Sequence, residues 1–222
     1  TTSPQDLIYT VTPNTEEGCE GEPFTVTITV NPTPTMDAPP NIEVCNGEEV
    51  LIDFTTENTG GVTTYEWSII NGPEIGLPDS TTDITDSDSD ITFTASNPDP
   101  DPRVVIVSVT PIFTNNGVEC TTSPAETFTI TVNPEPQIDD FTETICEGDT
   151  FASILPENDT NGVVPSGTIY TWVIADESSD LIIGGSASTT ASATIPGSEL
   201  TLVNDTTSPQ DLIYTVTPNT EE

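Results

Sequence analysis

Four cysteines give the sharpest chemical signal in this 222-residue sequence, because they fall into two evenly spaced pairs. Cys19 and Cys45 are 26 residues apart, and so are Cys120 and Cys146. Thiols at recurring positions bind metal, attack substrates or cross-link. Metal binding fits poorly, since there is no CxxC and no histidine to complete a tetrahedral set. Nucleophilic catalysis needs a base beside the nucleophile, and the chain has neither His nor Lys. Paired carboxylates can hydrolyse glycosides, yet the 38 acidic residues are scattered over turn-forming stretches with no pair set apart. A Gly-rich phosphate loop is absent too. These residues do not read as an enzyme; they read as disulfides in an oxidising, extracellular setting.

Carboxylates offer a second chemistry. Asp83, Asp86, Asp88 and Asp90 form an alternating run, and SNPDPDPR adds Asp99 and Asp101. Calcium takes about six to eight oxygen ligands, so these six residues are the candidate Ca²⁺ ligands, ahead of Asp176, Glu177 and Asp180. The run lacks EF-hand spacing, and on a strand Asp86, Asp88 and Asp90 would simply share one solvated face. Asn158-Asp159-Thr160 and Asn204-Asp205-Thr206 have the form of N-glycosylation sites.

The elements that must position these groups are strands. FTVTITV (24–30), VLIDF (50–54), TTYEWSI (63–69), ITFTA (91–95), VVIVSV (104–109), FTITV (128–132), IYTWVI (169–174) and LIYTV (212–216) alternate with period two. Gly, Asn, Asp and Pro clusters separate them, and 21 prolines argue against long helices. The fold expected is all-β: Ig-like β-sandwich modules of about seven strands, with Trp67 and Trp172 in the cores.

Residues 1–17, TTSPQDLIYTVTPNTEE, return letter for letter at 206–222, an offset of 205 residues. Within that period lies a weaker repeat. Tyr65-Glu66-Trp67 is echoed by Tyr170-Thr171-Trp172, and VSVTP (107–111) by YTVTP at 9–13 and 214–218. The expectation is a window on a tandem array of modules set head to tail. Residues 1–34 would be the last strand pair and linker of a preceding module. Residues 35–136 would be module one, and 137–222 module two without its last strand. Pro-rich NPTPTMDAPP (31–40) and NPEPQ (133–137) would act as semi-rigid spacers.

Two cysteine schemes stay open on this reading. Cys45–Cys120 would close a bridge within module one. In an Ig-like fold, however, those turns lie at opposite poles, so Cys45 could instead meet the equivalent of Cys19 in the next copy, stapling successive modules. Cys19–Cys45 is disfavoured by the strand and linker between them.

Composition excludes some partners. A single basic residue, Arg103, and a formal charge of −37 leave nothing to displace counterions from nucleic acid or to bind an anionic membrane surface. No stretch approaches the length of a membrane span. Neighbouring copies of the repeat are the expected partners, and charge repulsion would keep an array extended and soluble.

The order of motifs is CxG(E/D) at the first turn, YxW on the third strand, then TVTP, a Gly/Cys turn and FTxTVNPxP. That order resembles PKD-like Ig-type repeats of giant Bacteroidota surface adhesins, although WSIING (67–72) and WVIADE (172–177) stand where standard PKD domains have WDFGDG. The resemblance implies an extracellular, type IX-secreted protein of the cell surface that serves as spacer, stalk or filament and bears load. Surface polysaccharide, host or substratum would be met through other parts of the full protein. Asp79-Ser80-Thr81 and Asp205-Thr206-Thr207 resemble the O-glycosylation signal of the same bacteria, which marks Ser80 and Thr206. The alternatives are a carbohydrate- or protein-binding module, which would need an exposed aromatic patch, and an accessory domain of a secreted enzyme.

Overall fold

The structure is a computed structural model that describes residues 1–78, 84–85, 90–121, 124–176, 180–204 and 206–220. Every regular element among them is a strand. The chain divides into two compact units, residues 1–96 with 104–132, and residues 97–103 with 133–222.

The first unit opens with β1 (Gln5–Val11) and β2 (Phe24–Val30), an antiparallel pair running from Gln5↔Val30 to Val11↔Phe24. There follow β3 (Ile42–Cys45), β4 (Glu49–Asp53), β5 (Val62–Asn71), β6 (Ile84–Thr85), β7 (Asp90–Thr94), β8 (Arg103–Asn115), β9 (Val118–Cys120) and β10 (Glu126–Asn133). One sheet has the order β3-β10-β8-β5-β6, with β9 also on β8; β4 and β7 form the other. Alternation explains the sandwich. Val105, Val107 and Val109 of β8, Phe128, Ile130 and Val132 of β10, and Tyr65 and Trp67 of β5 point to one side of their sheet. They meet Val50, Ile52 and Phe54 at β4, and Ile91, Phe93 and Ala95 at β7. Burying each large apolar side chain stabilises the fold by roughly 1.5–3 kcal/mol. Within the core, the Phe54 and Tyr65 rings pack tilted, centroids 5.3 Å apart.

The second unit contains β11 (Gln137–Ile138), β12 (Thr150–Phe151), β13 (Gly162–Val163), β14 (Thr168–Ile174), β15 (Ile182–Ile183), β16 (Leu200–Thr201), β17 (Val203–Asn204) and β18 (Tyr214–Thr220). They pair two by two: β11 with β13, β12 with β16, β14 with β18 and β15 with β17. Its core is smaller, with Tyr170, Trp172 and Ile195 buried and Ile138, Tyr214 and Val216 partly covered. Both tryptophans lie inside, Trp67 4% and Trp172 7% exposed.

One strand departs from the sequence expectation. LIYTV reads as a strand over 212–216, but β18 begins at Tyr214 and continues through Pro218 to Thr220. The reason is its partner: β14 ends at Ile174, opposite Tyr214, so Leu212 lies beyond the reach of that ladder. The fold is all-β and Ig-like.

Candidate functional site: strand edges, cysteine turns and acidic loops

The repeated 17 residues occur here in two pairing states. In the first copy, residues 5–11 form β1 and pair with β2. In the second, residues 214–220 form β18 and pair with β14, Trp172 opposite Val216 and Tyr170 opposite Pro218. Strand β8 shows both at once. Its VSVTP segment lies opposite β5 with Trp67↔Val109 and Tyr65↔Pro111, while β10 flanks its other edge. Thus, among the described residues, β1 holds only the β10-like neighbour and β18 only the β5-like one. Burial follows. Val107 and Val109 are fully buried, whereas their equivalents Tyr214 and Val216 are half-buried, and Tyr9 and Val11 are exposed. On β2 the equivalents of buried Phe128, Ile130 and Val132 are Val26, Ile28 and Val30, all exposed. Burial raises the pKa of Tyr170, and also that of Tyr214, whose hydroxyl accepts a 3.2 Å bond from the Ser186 N–H that works the other way.

A strap ties residues 31–35 to the first sandwich. Asn58 is 7% exposed, and its Oδ1 accepts from the Thr35 N–H at 2.7 Å. The Thr35 and Thr56 hydroxyls lie 3.1 Å from the same oxygen. Its Nδ2 donates to the Thr33 carbonyl at 3.1 Å, and Pro32 and Pro34 are buried. Nearby, Asn115 Nδ2 donates to Asn31 Oδ1 at 2.9 Å and the Thr59 N–H to the Thr2 carbonyl at 2.8 Å. Nothing in the sequence singled out Asn58, which sits in a stretch (NTGG) that reads only as a turn.

The cysteines occupy distinct places. Cys19, Cys45 and Cys146 are exposed and Cys120 half-buried. Cys45 and Cys146 begin the same turn. The Cys45 N–H donates to Glu48 at 3.0 Å and the Cys146 N–H to Asp149 at 3.3 Å. Gly47 and Gly148 adopt φ of 85° and 81°, which glycine alone accommodates readily. This explains the CxG(E/D) motif. Within the first unit Cys120 pairs with Phe113, at the end where Asn31 and Asn115 meet. The Cys45 turn lies at the other end, where the Gly47 N–H donates to Ala95 and β8 begins. Eight residues of β8 separate Val105 from Phe113, about 26 Å. A disulfide tolerates a Cα separation of only about 4.4–6.8 Å.

Of the acidic positions, Asp83, Asp86 and Asp88 lie outside the described residues, as do Ser80 and Glu177, and Asp90 is described only as backbone. Asp99 accepts a 2.7 Å ion pair from Arg103 Nε, the only basic side chain in the sequence. Asn97, 2% exposed, holds this loop: its Oδ1 accepts the Asp99 N–H and its Nδ2 donates to the Asp101 carbonyl. Among the described residues no three acidic or cysteine side chains converge. Thr206 is half-buried in a turn, its hydroxyl 2.7 Å from Asn204 Oδ1 and 2.8 Å from the Ser208 carbonyl.

Comparison with known families identifies the fold's lineage. The model of the PKD-like domain matches residues 1–34, 42–136 and 143–222. The chain belongs to the PKD-like domain family. PKD-like domains are generally non-catalytic, typically extracellular, structural or binding modules. Among curated proteins nothing matched the chain. No helix among the described residues is long and apolar enough to cross a membrane.

Proposed function

We propose that this PKD-like segment is a spacer repeat in a long extracellular surface adhesin or filament, bearing load between an anchor and a binding part elsewhere in the protein. The motif order that resembles Bacteroidota surface adhesins extends the proposal to that setting and to type IX export. The single observation that carries the spacer reading is the letter-for-letter return of residues 1–17 at 206–222, because such long-period identity belongs to arrays built by stacking one unit. Module boundaries at 35–136 and 137–222, with 1–34 closing a preceding module, follow from the same repeat.

Load transfer rests on two features. The Asn58 strap fixes a Pro-rich joint to the sandwich that follows it. Cys120 and Cys45 stand at the entry and exit ends of the first unit, which favours disulfide staples between successive modules over a bridge inside one. Calcium at the acidic loops and O-linked glycans at Ser80 and Thr206 would be further adaptations of such an array. A carbohydrate-binding surface draws little support from the exposed aromatics. Tyr9 and Phe24 lie on the hairpin face whose counterparts in the first sandwich form its core.

Electron microscopy of the native protein tests the reading. A long beaded or rod-like particle is expected, with non-reducing peptide mapping by a Glu-directed protease linking Cys45 to the Cys19 position of the next copy. A compact particle would overturn the spacer function, and a Cys45–Cys120 peptide would overturn the staples.

A further inference from the structure

Three stretches of the chain lie at the same distance ahead of a VTP string. Counting back from Pro13, Pro111 and Pro218 places Gln5 level with Arg103 and Gln210, and Thr2 level with Pro100 and Thr207. Asn97 and Asn204 fall level too, and they make the same bonds. Asn97 Oδ1 accepts the Asp99 N–H at 3.0 Å, and its Nδ2 donates to the Asp101 carbonyl at 2.9 Å. Asn204 repeats both, with the Thr206 N–H at 3.0 Å and the Ser208 carbonyl at 2.9 Å. Gln5 and Gln210 also turn back alike. Their Nε2 atoms lie 3.1 and 3.2 Å from the preceding serine hydroxyl, and 2.9 and 2.8 Å from the proline carbonyl. Local side-chain bonds of this kind shape a loop from within.

The first unit shows what such a loop rests on. The Thr59 N–H donates to the Thr2 carbonyl at 2.8 Å. Gly60 has a φ of 78°, and a Cβ there would lie 2.9 Å from Pro4 Cδ. Glycine serves twice at this position, allowing a left-handed backbone and the close approach of the proline ring. Pro4 is half-buried. The corresponding loop, residues 97–103, joins two strands of the first sandwich yet belongs to the second compact unit, and its Pro100 is half-buried. In that unit Glu157-Asn158 stands where the first has Glu57-Asn58, each pair opening the turn ahead of a YxW strand. We propose that the loop before each VTP strand is a plug that one module lends to the next, seated on the turn ahead of its YxW strand. Thr2 and Pro4 occupy the seat at 58–60. Within the second unit, residues 98–101, led by Pro100, take the seat at 158–162. At the first seat the contacts are a backbone bond and a proline ring, so no basic side chain is needed, and the chain has only one. The proposal rests on the reading of this chain as tandem modules.

Nuclear magnetic resonance of the full 222-residue chain tests it. In Pro4→Ala and Gly60→Ala the Thr59 amide should exchange about five- to tenfold faster than in the parent, the worth of one backbone hydrogen bond. Gly47→Ala, with the same left-handed backbone and open space around it, should leave that rate unchanged. Pro4→Ala should shift the amide signals of 58–61 and spare 158–162, and Pro100→Ala should do the reverse. A Thr59 amide that exchanges freely in the parent, or substitutions at Pro4 and Pro100 whose shifts stay within their own loops, overturns the proposal. Electron microscopy reads the length of the native protein and these signals read single joints, so the spacer reading and the plug fail separately.

Discussion

Replacing Asn58 by alanine should loosen the strap that ties residues 31–35 to the first sandwich. Two of the bonds lost are to linker backbone: the Thr35 N–H at 2.7 Å and the Thr33 carbonyl at 3.1 Å. A buried polar group left without its partner costs about 1–3 kcal/mol. Thr33 and Thr35 are themselves exposed, so water can reach part of the site, and the sum falls at roughly 2–4 kcal/mol. For a unit of this size each kcal/mol lowers the melting midpoint by roughly 3–5 °C, giving a drop of about 6–20 °C. Far-UV circular dichroism melts measure it directly. Cleavage by an Asp- or Glu-directed protease should speed up at Asp37, just beyond the strap, while sites at the Cys45 turn keep their rates. A midpoint within about 2 °C of the parent, with Asp37 equally protected, would refute the idea that these bonds hold the joint.

Two further outcomes follow from the geometry. Gly47 and Gly76 both have positive φ, 85° and 84°, but an added Cβ meets nothing within 4 Å at Gly47 and would lie 2.3 Å from the Thr94 carbonyl oxygen at Gly76. Gly47→Ala should therefore cost only backbone strain, about 1–2 kcal/mol, while Gly76→Ala should cost clearly more in urea unfolding; equal costs would contradict the packing between that turn and β7. Burial raises the pKa of Tyr170 and Tyr214 above the ordinary 10.0, so the folded chain keeps protons there that the unfolded chain releases. The stability tied to these neutral phenols is intact below pH 10 and is lost as pH rises through the folded values. Phenolate absorbance should lag in the native protein relative to the urea-unfolded one, and coincident curves would show that the two rings are solvated.

Much of the fold was legible because alternation is a local signal. FTVTITV reads as a strand and is β2 residue for residue, and the tryptophans of both YxW strings are buried. The Gly in CxG(E/D) was legible as a turn, and its positive φ supplies the reason. Yet the same string at Cys19-Glu20-Gly21-Glu22 folds differently: the Gly21 N–H donates to the Pro13 carbonyl at 2.8 Å, within the β1–β2 loop. Local letters do not fix a turn when the strands around it differ. Asn58 was invisible because its value lies in contacts to residues more than twenty positions away. Strand extent at 212–220 differs from the sequence pattern for a related reason, since it depends on where β14 stops.

That last case bears on the proposed array. Seventeen identical residues form a strand over 5–11 beside β2 and, 205 positions later, over the equivalents of 9–15 beside β14. Intrinsic propensity cannot distinguish them, so the partner strand decides. Each copy carries the full pattern of β8, which spans both stretches when neighbours flank both edges. On β8 each edge has its own partner, β10 on one side and β5 on the other. Asp6 is the one carboxylate on β1, and the Thr29 hydroxyl of β2 donates to it at 2.7 Å. Where both edges are flanked, as on β8, the alternating side chains Val105, Val107 and Val109 are fully buried, so burial follows the neighbours and not the letters.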